Sequence, residues 1–437
     1  MENVSGVKKG SGQLNKTNSC TFCMHPFTGL ATREDGAVQM CCRSHPVGFI
    51  QSQTLEEIWN NDTVKRIRKQ VLSNERPAEC EPCFSLEDQG VESLRQRHIS
   101  GKIPEARINL YPKTLDKLNA DFTMPFEIPT IELKLNNLCN LKCRMCHPMD
   151  STSWNDWNEV EEFYVKDNNV ISILVDKLNL KSKPYLGHFD NNQEWWNSFK
   201  KLLPFFRRVE FAGGEPLMDP YHYKILDMLA PYGANIELKY ATNLSKLGLP
   251  NTDQNIYTYW PKFKSIAVNV SIDGVGDVYE YIRGNASWNK LVSNIEEIKK
   301  FPNISRIVGA CTVQVGNILT LDNIAETFLD EFQIIFHTHR VSYPKELSAQ
   351  VLPKQLKNKA IEKLILLKQK VSDFALAKTN EKVLQYTLGQ IDDNINFLKS
   401  KDLSELWPDT VEFNHRLDRS RNQKSFEDIV PEFKPYV

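Results

Sequence analysis

Three cysteines lie in a single run directly after a strand-like segment, at Cys139, Cys143 and Cys146. Their spacing presents three thiolates from one loop to one face of a small inorganic cluster. A cubane [4Fe–4S] cluster needs four iron ligands, so three protein thiolates leave one iron open to an outside molecule. The alternative is a zinc site completed by His147, although zinc sites usually combine C-x2-C pairs across wider gaps. The run therefore favours an iron–sulfur site with one open coordination position.

A second group of cysteines precedes this run and also has metal-ligand spacing. Two C-x2-C pairs enclose Asp35-Gly36, which predicts a β-hairpin, and Thr54 with Glu57 predicts a capping box at a helix start. Such pairs can chelate zinc, which stays open as an alternative to iron. The concentration of cysteines at this end of the chain indicates metal binding rather than disulfides. The group consists of Cys20, Cys23, Cys41, Cys42, Cys80 and Cys83.

Composition and charge narrow the class of protein. Of 437 residues, 41% are apolar and 25% are charged, which is ordinary for a globular protein. The net charge of −1 gives no basic excess for nucleic acid or anionic membrane. The first residues lack the apolar stretch of a signal peptide, and the run Val170–Val175 is too short to span a bilayer. We expect a cytoplasmic protein with no nucleic-acid and no membrane partner.

Apolar, β-branched segments alternate with helical patterns through the centre of the chain. After the first segment they recur at roughly thirty-residue spacing, the length of a βα unit. The segment Asn289–Phe301 has apolar residues on one helical face. The pattern predicts an α/β fold of parallel strands with helices outside, either a partial (β/α)6 TIM-like barrel or an open sheet. The predicted strands are Thr130–Leu135, Arg208–Ala212, Ile236–Ala241, Ile266–Ile272, Arg306–Val313 and Ile334–Val341.

The same patterns divide the chain into four parts. Residues 1–18 are polar and predicted to be disordered. Residues from about 19 to 100 form the cysteine-rich unit. The α/β region covers about 125–345, with an insertion at about 150–205 that carries two tryptophans. Residues from about 353 to 437 are predicted to be a helical extension without a usable motif.

The second predicted strand ends in Gly213-Gly214-Glu215-Pro216. In a parallel α/β protein, chemistry collects at the carboxyl ends of the strands. Two glycines there let the backbone approach a ligand closely, and Glu215 adds a carboxylate suited to an ammonium group. A simple strand-to-helix turn, with Pro216 in the first helical turn, is the structural alternative.

The cysteine run and the Gly-Gly-Glu-Pro sequence together resemble the radical S-adenosylmethionine (radical SAM) enzymes. The resemblance implies a [4Fe–4S] cluster on Cys139, Cys143 and Cys146, with S-adenosylmethionine on the open iron. The segment 213–216 would then hold the methionine amino group. It further implies reductive cleavage to a 5′-deoxyadenosyl radical, which abstracts hydrogen from a substrate.

Other residues match this superfamily less specifically. By resemblance, Ser271 would bond the ribose or carboxylate of the cofactor and Arg283 would pair with its carboxylate. For Asp273 and Asn243, turn formation is an equal alternative to cofactor binding. Met145 stands where the family usually has an aromatic residue, so its thioether would pack against adenine. Gln314 and Asn317 are pocket candidates on position alone. His337, His339, Arg340 and Tyr343 on the sixth strand would line the substrate end, and a surface or packed histidine pair is at least an equal alternative. Cys311, Trp154 and Trp157 are expected to be buried packing residues.

The cysteine-rich unit resembles the twitch or SPASM module of the same superfamily. The resemblance implies a second, auxiliary [4Fe–4S] cluster whose ligands are Cys23, Cys41, Cys80 and Cys83. The module usually follows the barrel, whereas here it precedes it. Cys20 and Cys42 are left as spare or substitute ligands.

Three hypotheses about the activity remain open. The first is a radical SAM enzyme that modifies a peptide or protein side chain. The second is a dehydrogenase or rearranging enzyme for a small molecule, such as a sugar or aminocyclitol. The third is a non-catalytic iron–sulfur protein, which would have no need of Gly213–Pro216. A flavodoxin or ferredoxin would serve as the reductant.

Overall fold

The computed structural model describes residues 21–88, 90, 92–99, 114–166, 170–341 and 343–437. The predicted tail at 1–18 and Cys20 lie outside the described residues. The chain forms two compact units. Residues up to Leu135 and Gly187–Glu210 belong to the first unit, and Asn136–Leu186 and Phe211–Val437 belong to the second. The predicted insertion at about 150–205 is therefore shared between the two units.

The first unit contains a small sheet in the order β3-β2-β1-β4. The hairpin predicted at Asp35-Gly36 is confirmed, because β1 and β2 pair antiparallel around it and Gly36 has a φ of 82°. Strand β4, the first strand of the predicted α/β repeat, pairs parallel with β1. The four strands are β1 Gly29–Thr32, β2 Ala37–Gln39, β3 Pro46–Phe49 and β4 Thr130–Lys134.

Short helices cover this sheet. The predicted capping box is confirmed: the Thr54 hydroxyl accepts from the Glu57 backbone N–H, and the Glu57 carboxylate accepts from the Thr54 backbone N–H. The helix that it begins buries Leu55, Ile58 and Trp59. The helices of this unit are α1 His25–Thr28, α2 Leu55–Trp59, α3 Asp62–Leu72, α4 Glu81–Asp88, α5 Leu94–Ile99 and, after the gap in the unit, α8 Gln193–Leu202.

The second unit is built on parallel strands in the order β7-β8-β10-β11. Four apolar side chains of β8 are fully buried, because helices cover both faces of a parallel sheet. Strand β6 ends at the start of this unit, and β5 pairs antiparallel with β9. The strands are β5 Lys142–Cys143, β6 Arg208–Ala212, β7 Glu237–Thr242, β8 Ser265–Ser271, β9 Arg283–Gly284, β10 Ile304–Val313 and β11 Ile335–Arg340.

Helices follow the strands of the second unit and then continue to the carboxyl end. The α/β class, the six predicted strands and the helical extension are confirmed. The helices are α6 Trp157–Lys166, α7 Val170–Lys177, α9 Pro220–Leu229, α10 Ile256–Tyr259, α11 Asp277–Ile282, α12 Trp288–Lys299, α13 Leu321–Glu326, α14 Lys354–Lys370, α15 Ala375–Thr379, α16 Glu381–Ser400, α17 Trp407–Arg421 and α18 Phe426–Ile429.

Within the described residues, no helix is both long enough and apolar enough to cross a membrane.

Candidate functional site

The loop that carries the three central cysteines is fixed by two asparagines at its start. The Asn136 side chain donates to Asp219 Oδ2 at 2.9 Å. Asn137 is fully buried, and its amide donates to the carbonyls of Pro148 and Pro184 while its Oδ1 accepts from the backbone N–H of Leu186. These amides fix the shape of the loop, because they bond it to a helix N-cap and to backbone groups further along the chain.

Hydroxyl side chains hold the same loop from its other side. Ser153 Oγ donates to the carbonyl of Cys139 at 2.7 Å, and Ser151 Oγ donates to that of Leu141 at 2.6 Å. Trp154 Nε1 donates to the carbonyl of Cys143 at 2.7 Å. The asparagines and these hydroxyls could not be found from the sequence, since no periodic pattern marks a polar side chain that bonds to a loop backbone.

The structure brings the three cysteines together. Cys139 and Cys143 are buried around Leu141, and Met145 and Cys146 pack against them. The thiols of Cys143 and Cys146 are hydrogen-bonded to each other. Two buried thiols and one partly buried thiol, packed together in one loop, fit the ligand set of an incomplete cubane.

Polar hydrogens are aimed at two of these sulfurs. Cys139 Sγ accepts from the backbone N–H of Leu141 at 3.5 Å and from Asn243 Nδ2 at 3.7 Å. Cys143 Sγ accepts from Arg283 Nη1 at 3.6 Å. Such donors stabilise thiolate sulfur and tune a cluster bound to it.

The protonation of the thiols follows their surroundings. The hydrogen bond from Cys146 lowers the pKa of Cys143, and the Arg283 guanidinium lowers it further. Burial raises the pKa of Cys139 to about 12, and the nearby charges of Cys143 and Glu215 add to this. Cys143 is therefore the thiol that the protein itself holds closest to the thiolate form.

The Gly-Gly-Glu-Pro segment lies along the cysteine loop. Gly213 has a φ of 113°, and a Cβ on Gly214 would lie only 2.3 Å from the carbonyl oxygen of Leu138. The backbone N–H of Glu215 donates to that same oxygen at 2.7 Å. Glycine is required here because two backbones touch, which a turn alone would not need.

The Glu215 carboxylate is buried at the end of β7. It accepts hydrogen bonds from Thr242 Oγ1 at 2.6 Å, from the Asn243 backbone N–H at 2.7 Å and from the Leu217 backbone N–H at 3.1 Å. Burial raises the pKa of Glu215 to about 7, although these three donors pull it down. Glu215 also caps the short 3-10 helix Pro216–Met218. Glu215 thus serves as the cap of a strand-to-helix turn and also lies beside the cysteine loop.

Asn243 likewise forms a turn and also faces the cysteine loop. Its Oδ1 accepts from the backbone N–H of Ser245 at 2.8 Å, which is an Asx-turn. Its Nδ2 points at Cys139 Sγ and at Asn140 Oδ1, 3.3 Å away. Its role towards a cofactor stays a prediction.

Asp273 and Arg283 form a buried ion pair beside Cys143. Arg283 Nη2 lies 2.7 Å from Asp273 Oδ2, and Asp273 Oδ1 accepts from the Thr312 backbone N–H at 2.6 Å. Burial raises the pKa of Asp273, against the pull of Arg283. Asp273 therefore orients a guanidinium whose other end faces Cys143.

The remaining pocket candidates lie at the carboxyl ends of β8 and β10. Ser271 ends β8. Gln314 Nε2 lies 4.0 Å from Met145 Sδ, and Asn317 Nδ2 donates to the carbonyl of Asp273 at 2.9 Å. Cys311 is fully buried, as expected of a packing residue.

The aromatic and histidine candidates have packing partners. Trp154 and Trp157 are both buried, which confirms their predicted packing role. His337 shares a 2.6 Å hydrogen bond between its Nδ1 and Tyr386 Oη and stacks edge-on with His339. Arg340 Nη1 donates to the carbonyl of Asp393 at 3.0 Å. His337 and Arg340 therefore bond to α16, and a substrate role for the three β11 side chains stays a prediction.

In the first unit, the four predicted auxiliary ligands surround one cavity. Cys23, Cys41, Cys80 and Cys83 line it together with further residues that include His25, Ser44, Phe84 and Arg95. Burial raises the pKa of Cys23, Cys41 and Cys80 to about 12 each, and the charges of neighbouring cysteines add to this. Cys42 is exposed. The cavity fits a cluster held by four thiolates.

No three His, Cys, Asp or Glu side chains in the described part of the chain lie in the arrangement of a site for a single metal ion.

Residues 23–84 match the SPASM family, described as an iron-sulfur cluster-binding domain. The match begins at the first predicted auxiliary ligand and ends one residue after the last. The amino-terminal module predicted from the cysteine pattern is therefore confirmed as a SPASM domain. No curated protein matches the chain.

Solved structures share a distant likeness with the chain. Streptococcus suis SuiB bound to the precursor peptide SuiA is 14% identical over 73% of this chain and 61% of its own, with a TM-score of 0.31. SuiB bound to S-adenosylmethionine is 14% identical over 71% and 64%, with a TM-score of 0.33. TYW1 with a lysine-pyruvate adduct is 12% identical over 56% and 71%, with a TM-score of 0.28. The chain thus spans about three-fifths of SuiB.

Proposed function

We propose that the chain is a radical SAM enzyme with an auxiliary cluster in its SPASM domain. The observation that carries the proposal is the contact between the Gly213–Pro216 segment and the cysteine loop. Gly214 has no room for a side chain against Leu138, and Glu215 is bonded to the same carbonyl. The segment suited to an amino-acid ligand thus lies beside three thiols that leave one iron of a cubane open.

A zinc site is the competing interpretation of the cysteine run. It requires His147 as the fourth ligand, and His147 Nδ1 lies 3.1 Å from Asp150 Oδ2. Arg283 and Asn243 both direct N–H groups at cysteine sulfurs, which suits a cluster whose charge and potential are tuned by such bonds. These contacts support iron–sulfur at the run.

Each residue of this site would have a separate role in binding the cluster and S-adenosylmethionine. When bound, the cluster and S-adenosylmethionine supply the reductive carbon–sulfur cleavage and the hydrogen abstraction. Cys139, Cys143 and Cys146 would bind three irons. Glu215 would accept hydrogen bonds from the methionine amino group, and Arg283 would attract the carboxylate. Leu141 and the buried indole of Trp154 help to exclude water from the cluster side of the site.

Cys23, Cys41, Cys80 and Cys83 would hold the auxiliary cluster. An auxiliary cluster suits a reaction that removes a second electron from the substrate, such as a dehydrogenation or a cross-link. The substrate class that we propose is a peptide or protein side chain, by analogy with other radical SAM enzymes that carry this module. A small molecule such as a sugar or aminocyclitol is the second candidate, and a flavodoxin or ferredoxin is the proposed reductant.

The test is S-adenosylmethionine cleavage by the anaerobically reconstituted protein. Dithionite should yield methionine and 5′-deoxyadenosine, with one electron used to break the carbon–sulfur bond and one hydrogen atom taken from substrate, protein or buffer. Glu215→Ala removes a charged acceptor, whose hydrogen bonds are worth about 1.5–3 kcal/mol, so we expect roughly tenfold to hundredfold weaker cofactor binding.

Glu296→Gln is the matched control, because Glu296 is an exposed carboxylate on α12. It should bind S-adenosylmethionine like the wild type. Protein that holds zinc and no iron would refute the proposal. Iron-loaded protein that forms no 5′-deoxyadenosine would instead support a non-catalytic iron–sulfur protein.

A further inference from the structure

Helix α17, to which the sequence assigns no chemistry, ends in a buried arginine. Arg421 is its last residue, and the side chain is only 1% exposed. Its Nε donates to Asp156 Oδ2 at 2.9 Å. Among the described residues, its Nη1 and Nη2 have no hydrogen-bond partner. Burying a guanidinium whose two terminal nitrogens make no hydrogen bond costs folding free energy, unless a nearby anion offsets the loss of solvation.

Two contacts place this guanidinium beside Cys143. Strand β9 pairs with β5, which carries Cys143, and a Cβ on Gly284 of β9 would lie 3.4 Å from Arg421 Nη1. The Arg421 Cζ also lies 5.2 Å from the ring centroid of Trp154. That indole donates to the Cys143 carbonyl at 2.7 Å. Arg421 therefore lies close to the β5–β9 pair that carries Cys143, one of the proposed cluster ligands, and to the indole that bonds to its carbonyl.

The charges around Arg421 are unbalanced. Lys142 Nζ lies 3.4 Å from Asp156 Oδ2, the same oxygen that accepts from Arg421. Two cations thus share one carboxylate, and this trio carries one surplus positive charge. The other buried guanidinium groups near the loop each have one carboxylate partner: Arg144 is paired with Asp418, and Arg283 with Asp273.

We propose that Arg421 is a positioning residue for the cluster at Cys139, Cys143 and Cys146, and that its charge raises the reduction potential of that cluster. A cluster with three thiolates is anionic, and the electron that reduces it adds another negative charge. A fixed positive charge in a buried site favours the reduced form. This inference rests on the proposed function, because it requires a cluster at these cysteines.

The test is an anaerobic potentiometric titration with dithionite, followed by electron paramagnetic resonance. The signal that changes on addition of S-adenosylmethionine identifies the cluster with the open iron. We expect R421Q to lower the ratio of reduced to oxidised cluster at fixed potential about tenfold, which is about 59 mV for one electron. R421K keeps the charge and should fall between R421Q and the wild type.

R419Q is the control, because Arg419 lies on the same helix with its side chain 65% exposed. It should titrate like the wild type. If R421Q fails to hold the cluster, K142Q removes the other cation of the trio and should also lower the potential. If iron-loaded R421Q has the wild-type reduction potential, the inference is wrong and the proposed function still stands. The same holds for an unchanged potential in K142Q when R421Q cannot be loaded with iron. A wild-type protein without the S-adenosylmethionine-responsive signal overturns the proposed function with it.

Discussion

At the scale of single residues, the closest approach in the site is that of Gly214 to Leu138. Gly214→Ala would place a Cβ 2.3 Å from a backbone oxygen that cannot move without shifting the cysteine loop. We expect this variant to lose the iron bound by Cys139, Cys143 and Cys146, about four irons per chain. Iron and acid-labile sulfide analysis after anaerobic reconstitution measures the effect.

Gly389→Ala is the matched control for that substitution. Gly389 lies within helix α16, and an added Cβ there would meet no atom within 4 Å. Since alanine favours a helix over glycine by about 1 kcal/mol, this variant should keep its iron and unfold at higher urea concentration. Full iron in Gly214→Ala would contradict the close contact on which the proposed function depends.

His222 gives a prediction for stability against pH. It is buried with its Nε2 3.0 Å from Tyr240 Oη and its ring 4.5 Å from that of Phe211. Burial lowers the pKa of His222 to about 3. Between that pKa and the unfolded value of about 6.5, only the unfolded chain binds the proton, so stability falls as the pH falls.

From pH 7.5 to pH 5.5 this proton should cost about 1.4 kcal/mol of unfolding free energy. His222→Gln keeps a polar partner for Tyr240 but does not titrate, so it should lose less stability over the same interval. Urea unfolding of the cluster-free protein at both pH values measures the difference. Equal losses in the two proteins would show that His222 is not held neutral.

The residues of the site were predictable to different degrees. The cysteine run and Gly213–Pro216 could be found because each motif is contiguous in the sequence, and the fold then places them in contact. Asn137 and Arg421 could not, because their partners are backbone atoms or residues far along the chain. The geometry of the loops decides which cysteine sulfur each hydrogen-bond donor faces. No periodic pattern in the sequence encodes that geometry.

At the scale of elements, helix α9 is coupled to the cysteine loop through its N-cap. Asp219 Oδ1 accepts from the backbone N–H of Tyr221 at 2.8 Å, and Oδ2 accepts from Asn136. Asp219→Ala should therefore cost about 1–2 kcal/mol of unfolding free energy and also loosen the loop. We expect faster loss of iron to a chelator than in the wild type, followed by absorbance.

Asn380→Ala separates the two effects. Asn380 caps α16 by accepting from the Val383 backbone N–H, so its loss should cost similar stability. It has no bond to the cysteine loop among the contacts described, and its iron should be lost at the wild-type rate. Equal iron loss in both variants would show that Asp219 acts only through helix stability.

The strands were easier to predict than the last helices. Each of the six predicted strands buries at least one apolar side chain, and after the first they recur at the spacing of βα units. Helix α17 was not predicted as a separate element, since its buried face mixes Phe413 and Leu417 with Thr410, Asn414 and Asp418. A helix that buries polar groups against a polar network shows no clean apolar stripe.

At the scale of the whole molecule, the chain combines two cysteine sites that belong to different compact units. Cys23, Cys41, Cys80 and Cys83 lie in the first unit, whereas Cys139, Cys143 and Cys146 lie in the second. Each set draws its ligands from within one unit. Assembly of one cluster should therefore not require the other.

The prediction is a partition of iron between the sites. The wild type should bind about eight irons per chain as two [4Fe–4S] clusters. Replacing Cys139, Cys143 and Cys146 by alanine should leave about four irons and abolish the signal that responds to S-adenosylmethionine. Replacing Cys80 and Cys83 should also leave about four, but keep that signal, because the auxiliary site supplies no ligand to the open iron. Loss of all iron from either variant would show that the two sites form one cooperative unit. A single zinc in the variant that lacks Cys80 and Cys83 would assign the run at 139–146 to zinc.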